Sequence, residues 1–209
     1  MYRTNLLQRS LYLLEHQTYP DYEIIIVDDG SNDVIESGGK IKYERLREPA
    51  ARPRGENIAL RRAYEMAEGD FIIVTYSEIL APKNGIEIMV EKGNPDRRNS
   101  PTQYALSKEH MKIIDTINWK EDLSVLKSLP NFWATEKPMQ FTNLNTHGHH
   151  NHLCFCGKMR WSWDKYGFLP ASEEIGSMGE PWLHAREIEG GNIAIAIDIE
   201  VYHQWHKSN

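Results

Sequence analysis

The chain of 209 residues carries only two cysteines, Cys154 and Cys156, and the single residue between them is a poor spacing for an ordinary disulfide. A disulfide framework is therefore excluded, and reduced thiols are expected. A basic surplus is also lacking: 24 Lys and Arg stand against 30 Asp and Glu, for a formal net charge of −6. Such a chain has no broad positive field to grip a phosphate backbone, so no nucleic acid partner is expected. No run of eighteen apolar residues occurs, so no membrane span is expected either. Arg3, Arg9 and Glu15 interrupt the leucines of the first fifteen residues, unlike a secretory leader, and a cytoplasmic setting is the expectation. Internal repeats and low-complexity tracts are missing too. What is present, 40% hydrophobic and 26% charged residues, is the composition of a soluble globular chain long enough for a substantial core.

Residues 4–16 place Leu7, Leu11 and Leu14 at helical spacing, with Thr4 and Asn5 available as caps and Tyr19-Pro20 as the stop. Glu23 to Val27 is a short β-branched run that breaks into Asp28-Asp29-Gly30-Ser31, the pattern of a strand buried on both faces of a parallel sheet. A helix is predicted over 58–68, stopped by Gly69, and a second buried strand over 71–75. This alternation predicts an α/β fold with an open, mixed, mostly parallel sheet flanked by helices. Residues 82–90 read as a further helix, and 94–102 as a loop or hinge. Two helical patterns precede Pro130, with Met111 and Ile114 in one and Leu123, Leu126 and Leu129 in the other. Residues 179–189 read as a helix with Pro181 in its first turn and Gly190-Gly191 at its end. Ile193, Ile195, Ile197, Ile199 and Val201 alternate as a final strand. The same parity carries His203 and Trp205, while Tyr202, Gln204 and His206 take the other face. No composition shift marks a boundary, so one domain over 1–209 is predicted.

Ligands of open α/β sheets collect beyond the carboxyl ends of the strands. Asp28-Asp29 and Ser77-Glu78 each follow a predicted strand, so parallel pairing would bring their carboxylates to one rim. Paired aspartates suit the hydrogen-bond donors of a base or ribose, and a lone Glu suits a hard divalent cation. The competing reading is an Asx turn in which Asp29 and Ser31 only cap the loop. Trp161 and Trp182 are candidates for stacking on a sugar face, whereas Trp163 is assigned to the core. His147, His149, His150 and His152, with Cys154 and Cys156, are zinc-ligand types, but their spacing fits no standard finger or ribbon. A solvated histidine-rich loop is the preferred reading of that stretch.

Gln17 through Asp33, with Tyr22-Glu23-Ile24-Ile25-Ile26-Val27-Asp28-Asp29-Gly30-Ser31 at its centre, resembles the opening of family 2 glycosyltransferases of the GT-A fold. Tyr2-Arg3 resembles the end of the loop before that family's first helix. Asn57-Ile58-Ala59 and Ala67-Glu68-Gly69-Asp70-Phe71 resemble the approach to its metal-binding motif. Gly179-Glu180-Pro181-Trp182-Leu183-His184-Ala185-Arg186 resembles the segment that carries the catalytic base, and Val201-Tyr202-His203-Gln204-Trp205-His206 resembles the closing histidine motif. The resemblance implies an inverting, metal-dependent transferase that moves a sugar from a nucleotide-sugar donor, with UDP as the expected carrier, to a hydroxyl of a saccharide or other acceptor. It implies a nucleotide-binding half over 1–93 and an acceptor-side half over 94–209. Tyr2, Arg3, Asp28, Asp29, Arg54, Asn57 and Ser77 would line the nucleotide pocket. Glu78 and His203, with His206 as rival, would hold Mn2+ or Mg2+, and Glu180 would be the base. Glu180 read from its residues alone is a carboxylate favouring a helix N-terminus.

Three features depart from the family pattern. The metal motif reads Tyr76-Ser77-Glu78, with one of the two usual acids replaced, and Gly179 stands where an acidic neighbour of the base is usual. The chain also opens at or after the family's first strand and loop. An upstream portion of a longer chain is the expected source of that strand; another segment, or a partner chain in a homo-oligomer, is the alternative, since an open strand edge invites pairing. A module that binds nucleotide without efficient transfer is the competing function. A nucleotidyltransferase would want a glycine-rich basic phosphate loop near the start, and none is present.

Overall fold

The β-branched run after Tyr22 forms strand β1, Ile24–Asp28, which pairs in parallel with β2, Ile41–Arg45. A second sheet contains β3, Phe71–Val74; β4, Ile79–Leu80; β5, Asn99–Ala105; β6, Cys156–Met159; and β7, Ile195–His203, in the order β3-β6-β5-β7-β4. The helices are α1, Tyr2–Glu15; α2, Gly55–Met66; α3, Gly85–Lys92; α4, Lys108–Ile113; and α5, Arg160–Tyr166. Two 3-10 turns, Ile114–Thr116 and Leu123–Ser128, follow α4. The computed structural model describes residues 2–31, 35, 38–46, 55–132, 154–166, 183, 186–187, 189–191 and 194–205. Among the described residues no helix is long and apolar enough to cross a membrane.

The α/β class predicted from the sequence is the class found, but the parallel share of the sheet is smaller than expected. Two strand pairings are parallel, β1 with β2 and β5 with β7, and three are antiparallel, β3 with β6, β5 with β6 and β4 with β7. The difference comes from β6, inserted antiparallel between β3 and β5, and from the short β4 beside β7. Neither has the β-branched run by which a parallel strand is recognised in sequence. Gly157 of β6 is required by packing: a Cβ there would stand 2.7 Å from the Phe71 ring. The stretch expected to be a loop or hinge at 94–102 becomes β5 from Asn99 onward. Asn99, Ser100 and Gln103 of this strand are buried, and the Asn99 amide donates to the carbonyls of Asn94, Arg97 and Gly157 at 2.8, 3.1 and 2.9 Å. Pro101, which has no N–H for a ladder, sits where the register with β7 jumps between Ser100 and Thr102.

α1 also differs from expectation. It begins at Tyr2, and its buried stripe is Leu6, Ser10 and Leu13, continued past its end by Gln17, rather than Leu7, Leu11 and Leu14. Ser10 Oγ donates to the carbonyl of Ser77 at 2.8 Å. The Gln17 amide donates to Pro82 O at 2.8 Å and accepts from Ile86 N–H at 2.9 Å. Apolar periodicity passes over this stripe because half of it is polar but fully bonded.

β7 separates two cores. Ile199 and Val201 pack with Ile79, Ala81, Ile86, Met89 and Phe155, whereas Tyr202 packs on the other face with Leu13, Leu80, Tyr104, Leu106 and Phe132. A third cluster of Ile72, Val74, Trp163, Tyr166 and Leu183 holds α5 against β3, and Trp163 is core, as the sequence predicts. α2 ties the two sheets together. Its Leu60 and Tyr64 pack against that third cluster, and Arg62 pairs with Glu44 of β2 through two bonds of 2.8 Å.

Candidate functional site

Because β3 and β5 each run antiparallel to β6, and β5 runs parallel to β7, the strands β3, β5 and β7 all end at one rim. This is the side on which an α/β sheet presents its ligand loops. The loop after β3, Thr75 to Glu78, turns through a bond from Ile79 N–H to Tyr76 O of 3.2 Å and enters β4. β4 pairs Ile79 with His203, the last residue of β7. Glu78 and His203, far apart in sequence, are thereby drawn together: Nε2 of His203 lies 3.8 Å from Oε1 of Glu78, with side chains 27% and 21% exposed. The other carboxylate oxygen, Oε2, accepts from the Ser77 hydroxyl at 2.8 Å.

The pair is braced from behind. Gln204 N–H donates to Glu78 O at 2.9 Å, and the Gln204 amide donates to Leu6 O at 3.0 Å and to Ser10 Oγ at 3.3 Å. Arg9 donates to Gln204 Oε1 at 3.2 Å and is itself paired with Asp115. Sequence reasoning missed Gln204 as part of the site, although the period-two pattern of β7 places it opposite His203 and against α1. At 3.8 Å the Glu78 and His203 donor atoms are too far apart for a hydrogen bond; adjacent ligands about 2.1 Å from an octahedral ion stand about 3.0 Å apart, so the pair would close by about 0.8 Å to share one. Among the described residues no group of three or more His, Cys, Asp and Glu is poised for a metal. Two protein donors that leave the remaining positions to phosphate oxygens and water is the usual manner of holding Mg2+ at a phosphate-bearing substrate.

The loop after β1 is differently used. Asp28 Oδ1 accepts from Ser31 N–H at 2.7 Å, and Oδ2 accepts from the Tyr43 hydroxyl at 2.9 Å with Arg45 at 3.9 Å. Burial alone would raise the carboxyl's pKa, but the bonds from Ser31 and Tyr43 and the charge of Arg45 outweigh it and hold it below the ordinary aspartate value. Asp28 thus caps the loop through the N–H three residues on. Gly30 completes the turn at φ +87°, a left-handed conformation that glycine adopts without strain. Asp29 follows at the end of the strand, partly exposed.

The remaining candidates are distributed unevenly. Ser77 is exposed beside Glu78. Tyr2 and Arg3 are in α1 and Asn57 in α2 by backbone, their side chains lying outside the described residues, as do Arg54, Glu180, Trp182, His206 and the histidines of 147–152. Trp161 is 51% exposed, but it opens α5 where Arg160 N–H meets Asp70 O at 2.7 Å, at the start of β3. That is the rim opposite Glu78 and His203, so the structure does not bring Trp161 to this pair. Cys154 and Cys156 are buried in the core and form no disulfide.

The model of glycosyl transferase family 2 matches residues 3–160, most of the chain. Comparison with curated proteins yields no match. Among solved structures, that of GalNAc-T7 with UDP, GalNAc and Mn2+ superposes with a TM-score of 0.56 at 12% identity, covering 97% of this chain and 41% of that one. This chain thus spans less than half the length of that protein, and the likeness establishes the fold, an α/β architecture of the GT-A kind. On the family match and the fold together, the chain belongs to glycosyl transferase family 2.

Proposed function

We propose that this protein transfers a sugar from a nucleotide-sugar donor, with a uridine diphosphate carrier, to a hydroxyl of a saccharide or other acceptor, with inversion at the anomeric carbon. The observation that carries the reading is the Glu78–His203 pair at the rim where β3, β5 and β7 end, in a chain of this family. Glu78 and His203 would hold Mn2+ or Mg2+, which when bound stabilises the negative charge that develops on the departing diphosphate. Asp29, on the loop that Asp28 shapes, would accept from the base or ribose of the donor, with Ser77, Asn57, Arg54, Tyr2 and Arg3 as further pocket residues. Glu180 would take the proton of the acceptor hydroxyl as its oxygen bonds to the anomeric carbon. The carbon–oxygen bond to the diphosphate breaks with its electron pair leaving on the nucleotide. The presence of UDP and Mn2+ in the GalNAc-T7 structure supports the choice of carrier and ion.

One observation favours a second reading, a nucleotide-binding module without efficient transfer: Tyr76 and Ser77 precede Glu78 where the family pattern has a further acid. Incubation with a panel of sugar nucleotides and Mn2+, scored by release of nucleoside diphosphate, separates the two. Turnover on one donor, abolished by Glu180→Gln with nucleotide binding retained, supports the transferase. Binding without turnover across the panel supports the module.

A further inference from the structure

The two faces of strand β2 make different contacts. Lys42 and Glu44 serve α2 and the turn after it. Arg62 of α2 donates twice to Glu44 at 2.8 Å, and Lys42 pairs with Glu23 at 2.8 Å and with Glu68 at 3.1 Å. Side chains alternate along a strand, so Tyr43 and Arg45 share the other face. The parallel register sets Tyr43 beside Ile26 and Arg45 beside Asp28, the last residue of β1.

Both side chains reach the loop that follows β1. The Tyr43 hydroxyl donates to Asp28 Oδ2 at 2.9 Å and takes a hydrogen bond from the Ile35 backbone. Arg45 donates from a terminal nitrogen to Ser31 O at 2.5 Å, and its Nε stands 3.9 Å from Asp28 Oδ2. Ser31 is thereby held on both sides, its N–H by Asp28 Oδ1 at 2.7 Å and its carbonyl by Arg45. Only Asp29 and Gly30 lie between the strand end and this anchor, and Gly30 makes the left-handed turn that joins them. Asp29 is therefore confined between two tied residues. The Arg45 side chain is 43% exposed, and an exposed arginine of this kind adds little to global stability. What it adds is order ahead of binding: a loop arranged only when its ligand arrives loses that ordering entropy from the affinity, whereas one arranged in advance does not.

We infer that Tyr43 and Arg45 are positioning residues of the donor site: from β2 they hold the 28–31 loop in the conformation that presents Asp29, and so set the affinity for a nucleoside diphosphate without acting on the transfer step. The inference rests on the nucleotide-sugar reading of the site. It is tested by calorimetric titration of UDP in the presence of Mn2+, with kcat and KM on the active donor, for the parent, Arg45→Met, Arg45→Lys, Tyr43→Phe and Tyr22→Phe. Tyr22 is the control, since its hydroxyl donates to Glu15 O at 3.1 Å, away from the loop. Arg45→Met should bind UDP at least tenfold more weakly than the parent and Tyr43→Phe at least threefold more weakly. Arg45→Lys, which keeps a cation able to reach Ser31 O, should stay within threefold, and Tyr22→Phe should match the parent. The donor KM should follow the UDP Kd while kcat stays within twofold, and the Tm of Arg45→Met should move by no more than about 2 °C. UDP affinity within twofold of the parent in both Arg45→Met and Tyr43→Phe overturns the inference and leaves the transferase reading standing. So does an equal loss in Tyr22→Phe, or a kcat that falls in step with the affinity. A parent that binds UDP but turns over no donor refutes transfer alone, and the UDP titrations still decide the role of Tyr43 and Arg45. A parent that binds no UDP overturns the donor reading and this inference together.

Discussion

Asp28 and Glu78 invite comparison because each is an acid placed by a strand end, yet the two carboxylates have different surroundings. Asp28 is 9% exposed, and both its oxygens are engaged by the loop and by β2, through Ser31, Tyr43 and Arg45. Glu78 spends one oxygen on the neighbouring Ser77 hydroxyl and turns the other toward His203, a residue from the far end of the chain. Standing at the end of a strand therefore does not make an acid a ligand. What differs is the company each keeps: Asp28 is bonded by its own loop and by the neighbouring strand, whereas Glu78 meets a histidine from the other end of the chain. Asp28 shapes the loop that carries Asp29; Glu78 faces His203.

The largest expected effect sharpens that contrast at Glu78. Glu78→Ala should lower metal-dependent turnover on the order of 100-fold, the rate equivalent of a few kcal/mol of lost charge stabilisation, while Tm moves little. His203→Ala should match it within about tenfold, and the double variant should be no worse than the poorer single one, because the two residues serve one ion. Steady-state rates over a Mn2+ titration check both. Asp28→Ala should do the reverse. With the Ser31 N–H and the Tyr43 hydroxyl left without their acceptor, stability should fall by about 1–3 kcal/mol, a drop of roughly 5 °C in Tm by calorimetry.

A smaller effect follows from pH. The folded-state pKa of Asp28 lies below its unfolded value of 3.8, so its contribution to stability is complete well above pH 4. It is lost as the pH falls through the depressed folded value. Acid unfolding curves of Asp28→Asn should accordingly be flatter than those of the parent below about pH 4. The smallest change is expected from Ser77→Ala, which removes one exposed hydroxyl from Glu78 Oε2 and should alter Mn2+ affinity by no more than about threefold, roughly the worth of an ordinary hydrogen bond.

Where the chain uses apolar patterning, its sequence reads directly into the fold. β1, β3 and β7 are found where β-branched runs and alternation put them, and Trp163 is core as expected. β5 and β6 are hidden because they bury polar residues: Asn99, Gln103 and Lys158 are internal but carry the composition of a loop. The same blindness turns the predicted α1 onto the wrong stripe, since Ser10 and Gln17 are buried through hydrogen bonds that periodicity does not register. At the site, the Glu78–His203 pairing depends on a two-residue strand, Ile79–Leu80, too short to be seen in sequence. Family resemblance points to both residues; parity supports His203 alone.

The central claim, a cation held between Glu78 and His203, is tested most directly by measuring Mn2+ binding in the presence of UDP for the parent, Asp28→Asn and Glu78→Ala proteins side by side, by electron paramagnetic resonance of the free ion. The parent and Asp28→Asn should both take up Mn2+ with UDP, and Glu78→Ala should bind at least tenfold more weakly. Equal uptake by Glu78→Ala and the parent would contradict the assignment of the metal to this pair.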